Sequence, residues 1–445
     1  RDRSVSRGLG DVYKRQAYIR VNHQNQQKHL KIITIYIQKY MIWLTFLLRL
    51  GKMKVFYIDF TFEKLKGLCM KKLSPPPTKR RRLTRNQIYQ YIYRRSGCSK
   101  QEISDSLGLS MPTIHQNLNE LTQAGLVRID GVGESTGGRR PLQLTINENA
   151  RFSLGVSVTE SHFRIVAANL RLDEIAYQKY GHPHCNNMKD LGSFLTADLE
   201  DFLNRFGLNR EKLLGVGIAL PAIFNTDRTC VITAPTLNLR DQSIRPLICS
   251  IPYPVSVCND ATSGGYAEWY VQQDSDCMAY ISLEGGVGGA IFVNGVPYTG
   301  LNGRSGEFGH ICVQPEGLPC KCGLRGCLEA YCSSDRISTD LGISVEQFFA
   351  GLEAGNLAYQ TLWKDYLRHL ASALATIRMM FDCRIVLGGY VAQYLTPFLK
   401  ELRGLTASRD PFDDEAEYIS LCHYPKHAVP LGAALHFINL FVEEL

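Results

Sequence analysis

From residue 83 to residue 145, apolar positions recur at helical spacing in short bursts separated by glycines. Within Leu83–Arg95, Ile88, Tyr91 and Ile92 fall at helical intervals, and Gly97 marks a stop. Ser99-Lys100-Gln101-Glu102 has the form of a capping box, in which Ser99 and Glu102 satisfy each other's backbone amides. Ile103 and Leu107 supply the buried face of that short helix. Gly108-Leu109-Ser110 makes a turn, with Ser110 as the next N-cap and Pro112 tolerated in the first turn. The next helix buries Ile114, Leu118 and Leu121, and the opposite face is expected to show Thr113, Gln116, Asn117 and Glu120. Gly125–Ile129 and Leu142–Leu144 flank a Gly- and Arg-rich tip and read as a two-stranded wing. Further on the pattern changes to unbroken apolar runs. Phe152–Val158, Gly215–Leu220, Met278–Leu283 and Ile385–Leu387 read as buried strands.

A chain of 445 residues is too long for one ordinary core, so two or three domains are expected. With 45% hydrophobic and 21% charged residues it is globular rather than disordered or fibrous. The net charge is +8, and its placement matters more than its size. Met70–Thr145 carries 13 Lys and Arg against 5 Asp and Glu, which accounts for the whole excess. A basic module on a neutral body points to a polyanion partner for the module alone. Most of the 14 cysteines lie singly in apolar runs (Cys230, Cys249, Cys258, Cys277, Cys383), where a thiol behaves as a small hydrophobe. A chain this large needs no disulfides, so a reducing cytoplasm is expected. Met41–Leu48 is apolar but far short of the roughly 20 residues of a membrane span, and no cleavage site follows it. No membrane association is expected. Arg1–Gln16 resembles translated sequencing-adapter sequence, and Ala17–Cys69 has no steady period. Met70 is expected as the natural start, with residues 1–69 a non-native or disordered extension.

The order of capping box, turn, polar-faced helix and wing is helix-turn-helix grammar, with a second helix able to enter the major groove. Gln116 and Asn117 have side chains able to pair bidentately with adenine, and Ser110 and Thr113 precede them on the same helix. Arg139 and Arg140 are placed to meet phosphates or the minor groove. The competing reading is a solvated three-helix segment with an ordinary charged surface. The local charge excess favours double-stranded DNA.

His310 is followed after nine residues by Cys320-Lys321-Cys322 and then Cys327. One imidazole and three thiolates make a closed tetrahedral set for structural zinc, with no open position for a catalytic water. Gly323 and Gly326 permit the tight loop that Cys-x-Cys requires. Cys312 and Cys332 fall off the pattern.

Together these residues resemble the ROK family, named for repressors, open reading frames and kinases. The resemblance covers roughly residues 83–437 and is carried most specifically by Glu307-x-Gly-His310 through Cys327-x-Glu329. It implies a winged helix-turn-helix followed by a two-lobed actin-like ATPase fold of mixed α/β, ribonuclease-H-like lobes, with a zinc-binding loop. The domains expected are residues 70–148 for DNA binding, 149–265 for the first lobe and 266–445 for the second, whose C-terminal helix returns to the first. Phe152–Val158 and Met278–Leu283 would each open a lobe.

By the same resemblance, Asn259, Asp260, Glu307, His310 and Glu329 would hold sugar hydroxyls, a task suited to carboxylates and amides. Asp260 stands where a kinase has its general base. The phosphate machinery departs from the family pattern. Where kinases have Asp-x-Gly-Gly-Thr, this chain has Ser157-Val158-Thr159-Glu160-Ser161. The second loop, Glu284-Gly285-Gly286-Val287-Gly288-Gly289, keeps its glycines but opens on a carboxylate. Phosphoryl transfer depends on positioning and neutralising phosphate charge, so ATP and Mg²⁺ are not expected as cofactors. The resemblance thus implies a sugar-responsive transcriptional regulator, a repressor, that is not an enzyme. It would be a homodimer or homotetramer on an operator, answering to a sugar, a sugar phosphate or a sugar-transport protein. The alternative is an active ATP-dependent, glucokinase-like sugar kinase with a DNA-binding appendage.

Overall fold

The computed structural model describes residues 77–95, 97–132, 142–185, 187–272 and 277–445. The expectations for residues 1–69 and for Arg139 and Arg140 lie outside the described residues. Apart from the first turn of one helix, everything below belongs to a single compact unit, Arg81–Leu445.

Helix α1, Pro77–Tyr93, begins earlier than the apolar pattern suggests and runs through the basic residues 79–82. Proline is tolerated at a first helical position, and Lys and Arg are good helix formers, so this lead-in is helical rather than merely stiff. Ile88, Tyr89 and Ile92 are its fully buried residues, while Tyr91 is half-buried and bonds the Ser106 hydroxyl at 2.8 Å. Helix α2, Lys100–Leu107, carries the capping box: Glu102 N donates to Ser99 Oγ and Ser99 N to Glu102 Oε2. Helix α3, Met111–Gln123, buries Ile114, Leu118 and Leu121. Strands β1 (Val127–Val132) and β2 (Leu142–Ile146) pair antiparallel as the base of a wing.

Two five-stranded sheets follow. In the first, β3 (Phe152–Val158), β4 (His162–Asn169) and β5 (Glu174–Gly181) form an antiparallel meander covered by helix α4 (Met188–Arg205). Strand β6 (Leu213–Leu220) pairs parallel to β3, a short β7 (Ile223–Phe224), β8 (Cys230–Ala234) and β9 (Leu239–Ser243) make a separate sheet, and β10 (Val255–Asn259) pairs parallel to β6. Helix α5, Asp260–Gln272, runs unbroken through the expected lobe boundary at 265.

In the second sheet, β11 (Cys277–Leu283), β12 (Val287–Val293) and β13 (Val296–Pro297) are antiparallel. After helix α6 (Leu357–Phe381), β14 (Arg384–Gly388) and β15 (Ile419–Leu421) add in parallel. Both sheets therefore repeat one strand order, 3-2-1-4-5 in their own numbering.

Helix α7, Ala428–Glu444, packs on the first sheet and along α5. Its approach is so close that a Cβ on Gly155 would meet Pro430 O at 1.7 Å, and one on Gly217 would meet Ala433 O at 1.9 Å. Only glycine fits beneath a helix backbone at that distance. The buried face of α7 (Leu431, Leu435, Ile438) belongs to the same apolar cluster as Ile88, Ile92, Ile114 and Leu118. The three-helix module thus shares a core with the first sheet instead of hanging from a linker.

Candidate functional site

The sequence at the end of β10 turns directly into α5, and this junction builds one wall of a cleft between the two sheets. Asn259 Oδ1 accepts from Thr262 N at 2.9 Å, so Asn259 caps the helix and Asp260 is its first residue. Asn259 Nδ2 donates to Ala222 O at 3.2 Å and to Asp260 Oδ1 at 3.1 Å, and Ala261 N donates to the same Oδ1 at 2.8 Å. Asn259 Nδ2 and Ala261 N thus converge on Oδ1. Asn259 and Thr262 face Glu307, Ser305 and the Pro297–Gly300 segment across the cleft, with Asn225 and Arg228 at its rim. Asn225, Arg228, Thr262 and Ser305 were not singled out by pattern. They sit in turns and on one helix face, where composition alone carries no signal.

Burial raises the Asp260 pKa to about 7, and the neighbouring Glu284 and Glu307 carboxylates add to the rise. Burial also raises Glu284 and Glu307, the former eased by Arg164 and the latter by His310. Three carboxyl groups therefore lie near one another in poorly solvated surroundings, with Glu307 lining the cleft, and their proximity disfavours anions.

The two loops that would take phosphate are otherwise engaged. After β3, Thr159 Oγ1 donates to His162 O at 2.9 Å and closes a tight hairpin whose tip holds the exposed Glu160. In the glycine-rich loop, Val287 N donates to Glu329 Oε2 at 3.1 Å, and a Cβ on Gly286 would lie 2.7 Å from that oxygen. Glu329 thus takes a loop amide and also accepts from Cys320 Sγ at 3.7 Å, rather than pointing freely into the cleft.

His310, Cys320, Cys322 and Cys327 come together with all four ligand atoms within 4.8 Å of one another. The loop is pinned by Cys320 N to Leu324 O at 2.8 Å and Gly326 N to Leu318 O at 2.8 Å. Gly323 (φ 88°) and Gly326 (φ 79°) hold its left-handed turns. His310 Nδ1 faces Cys320 Sγ at 3.9 Å. Cys327 is pushed up to about 12 by burial and by the thiols of Cys322 and Cys320. One nitrogen and three sulfurs at this spacing fit a tetrahedral metal ion. Among the described residues it is the one such group of three or more ligands.

On α3, Gln116 and His115 are exposed and Thr113 is half-buried. Asn117 does not join them. It is 2% exposed, and its Nδ2 donates to Thr113 O at 2.8 Å. Lying three residues after Ile114 and four before Leu121, it falls on the buried face, and the expectation of an exposed Asn117 is corrected. Ser110 occupies the N-cap position with extended backbone, but its hydroxyl bonds the Thr113 hydroxyl at 2.8 Å instead of a backbone amide. Glu120 is paired with Arg81 and Arg85 of α1.

A family profile described as the ROK family matches residues 154–437, and a profile for winged helix-turn-helix DNA-binding matches residues 81–128. The chain is 29% identical over 264 residues to the xylose repressor of Bacillus subtilis (strain 168), covering 59% of this chain and 68% of that one. It is 32% identical over 189 residues to an N-acetylmannosamine kinase of Citrobacter koseri, covering 41% and 64%. A solved ROK family transcriptional regulator, homolog of the E. coli MLC protein, superposes with a TM-score of 0.67 at 23% identity, covering 82% and 97%. The fold is thus a winged helix-turn-helix followed by a two-lobed, actin-like domain of the sugar-kinase type.

Proposed function

We propose a function from a settled premise: the chain belongs to the ROK family. It is a sugar-responsive, DNA-binding transcriptional regulator, and its kinase-like domain serves as sensor. The observation that carries this reading is the common core of the three-helix module and the first sheet, which joins DNA reader and cleft in one body. The xylose repressor supports it from the side of the relatives.

On DNA, α3 enters the major groove with Ser110, Thr113 and Gln116 at its leading end, and Arg139 and Arg140 of the wing meet the backbone. A two-fold assembly, a homodimer or a pair of dimers, places two such helices on a palindromic operator. In the cleft, Asn259, Asp260 and Glu307 bind sugar hydroxyls directly. His310 and Glu329 border them. His310, Cys320, Cys322 and Cys327 would hold a zinc ion, which would supply a structural staple for the Glu307–Glu329 segment. Sugar binding favours one arrangement of the lobes, and operator affinity falls by the difference in sugar affinity between arrangements.

The sensor does not transfer phosphate. Glu284 stands near enough to Asp260 to raise its pKa, disfavouring a further anion there, and Glu329 takes the Val287 amide. Asp260, at the position of a kinase base, favours the alternative of an active sugar kinase, and so does the similarity to an N-acetylmannosamine kinase. Thermal melts with a panel of sugars and sugar phosphates, with and without Mg-ATP, decide between the two. A bound sugar at 100 times its Kd stabilises the native state by about 2.7 kcal/mol. A melt shift with one sugar, no shift with ATP and no ADP release is the expected result. Sugar-dependent ADP release that disappears in Asp260→Asn would overturn it.

A further inference from the structure

Helix α5 reaches from the cleft to the DNA-reading module, and the chemistry at its two ends differs. The first turn of α5 lines the cleft through Asn259 and Thr262. Its middle is clamped on both sides. Gly264 and Gly265 lie against Tyr280 and Phe292 of the second sheet. Ser263 Oγ donates to Val429 O at 2.7 Å, and the buried Glu268 accepts from His423 N at 2.7 Å and Tyr424 N at 2.8 Å, just ahead of α7. About 15 Å along, at 1.5 Å per residue, its last turn presents Tyr270. The Tyr270 hydroxyl bonds that of Tyr93, the last residue of α1. Tyr93 in turn donates to Leu170 O at 2.6 Å, so within this chain Tyr270 is the donor and Tyr93 the relay. Arg171, beside Leu170 in the β4–β5 turn, donates to Tyr93 O and, at 2.9 Å, to Arg95 O, with its guanidinium over the Tyr93 ring.

The other end of α1 is anchored elsewhere. Arg82 and Asn86 donate to the carbonyls of Glu444 and Glu443, and Arg85 donates to Leu445 O at 3.0 Å. These are the terminal acceptors of α7, which is fixed to the first sheet by the Gly155 and Gly217 contacts. Helix α1 is therefore a lever. Its basic half is held on α7, and its Tyr93 end is shared between α5 and the first sheet. A displacement of the last turn of α5 relative to Leu170 reaches α1 through the Tyr93 hydroxyl, which both hold.

We infer that Tyr270, Tyr93 and Arg171 are the positioning residues through which occupation of the cleft moves the DNA-reading helices. The inference rests on the proposed function. Tyr270 is not among the residues lining the cleft and lies outside the DNA-reading helix, so removing its hydroxyl takes away the transmission while sparing both binding sites.

The test compares the full wild-type chain with Tyr270→Phe, Tyr93→Phe and, as a control, Tyr91→Phe, which removes a hydroxyl pairing inside the module. Affinity for a fluorescent duplex, selected from random-sequence DNA by the wild type, is read with and without D-xylose, D-glucose and N-acetyl-D-glucosamine. Sugar binding is read separately by calorimetry. The wild type and Tyr91→Phe are expected to weaken on DNA by about 5- to 150-fold with the active sugar. Tyr270→Phe and Tyr93→Phe are expected to keep sugar binding and sugar-free DNA binding but to lose most of that ratio. A full wild-type ratio in Tyr270→Phe overturns the inference. So does loss of sugar-free DNA binding, which would mean the contact only holds the module in place. A wild type that binds the duplex but answers to none of the sugars sinks the functional reading, and the inference falls with it.

Discussion

Gln116 and Asn117 are neighbours with the same kind of amide side chain, yet one is exposed and the other is 2% exposed. Replacing Gln116 with alanine is expected to weaken binding to a selected duplex by about 1–3 kcal/mol, as befits a bidentate base contact. Asn117→Ala should instead lower the denaturation midpoint and leave sequence preference unchanged. Anisotropy and urea unfolding on the two variants read both effects. Asp260 supports a second prediction. Its folded pKa of about 7 lies above the ordinary carboxylate value of 3.8, so the folded state holds its proton longer than the unfolded chain. Its contribution to stability is intact below about pH 4 and is lost as pH rises towards 7. Asp260→Asn escapes that loss. It should gain on the wild type by on the order of 1 kcal/mol per pH unit across this window, read by urea unfolding at pH 4 and pH 8. Equal pH slopes for the two proteins would contradict the assignment. The four metal-ligand candidates were fully legible at this scale because their signal is spacing. Asn117 looks exposed by residue type, but its position between Ile114 and Leu121 puts it on the buried face. Arg228 and Ser305 could not be read at all, since only the folded chain brings the rim together.

Among the elements, β3, β6, β11 and β14 were readable as unbroken apolar runs because both of their faces are covered. The capping box fixed the start of α2 for the equally local reason that its two bonds lie within four residues. The start of α1 was not readable, since its first turns have no apolar stripe and their helicity rests on propensity. The close seating of α7 was not readable for a different reason: the glycines that admit it, Gly155 and Gly217, lie more than 200 residues earlier in the chain. Gly217→Ala would drive a methyl into Ala433 O and should destabilise the chain by several kcal/mol, as backbone overlap does where neither partner can yield. A lowered melting temperature, set beside an unchanged or raised one for Gly404→Ala, which lies in a helix with open space at its Cβ, is the expected contrast. The metal loop can be tested as an element. Purified chain should carry about one zinc per monomer by atomic absorption. Chelation or Cys327→Ser should raise hydrogen exchange in residues 307–329 and abolish the melt shift with sugar, leaving α3 protected. Unchanged exchange after metal removal would count against a structural staple.

At the scale of the molecule, two sheets of the same strand order flank a cleft lined by Asn259, Thr262 and Glu307, and the DNA-reading module is built onto the first of them through a shared core. Motif reading anticipated the modules and their sequence order. It did not anticipate that the DNA-reading module shares one core with α7 and the first sheet, because long-range packing leaves no periodic trace in the chain. That continuity makes regulation through the cleft physically reasonable: a change in lobe arrangement meets no slack linker on its way to α3. The measurement bearing most directly on the account is the anisotropy of a selected duplex, titrated with the full chain at two salt concentrations and then with each sugar. The account predicts tight, salt-dependent binding that one sugar reverses, with no ADP formed when Mg-ATP is added. Binding indifferent to sequence, or sugar turnover with ATP and no change in DNA affinity, would contradict it.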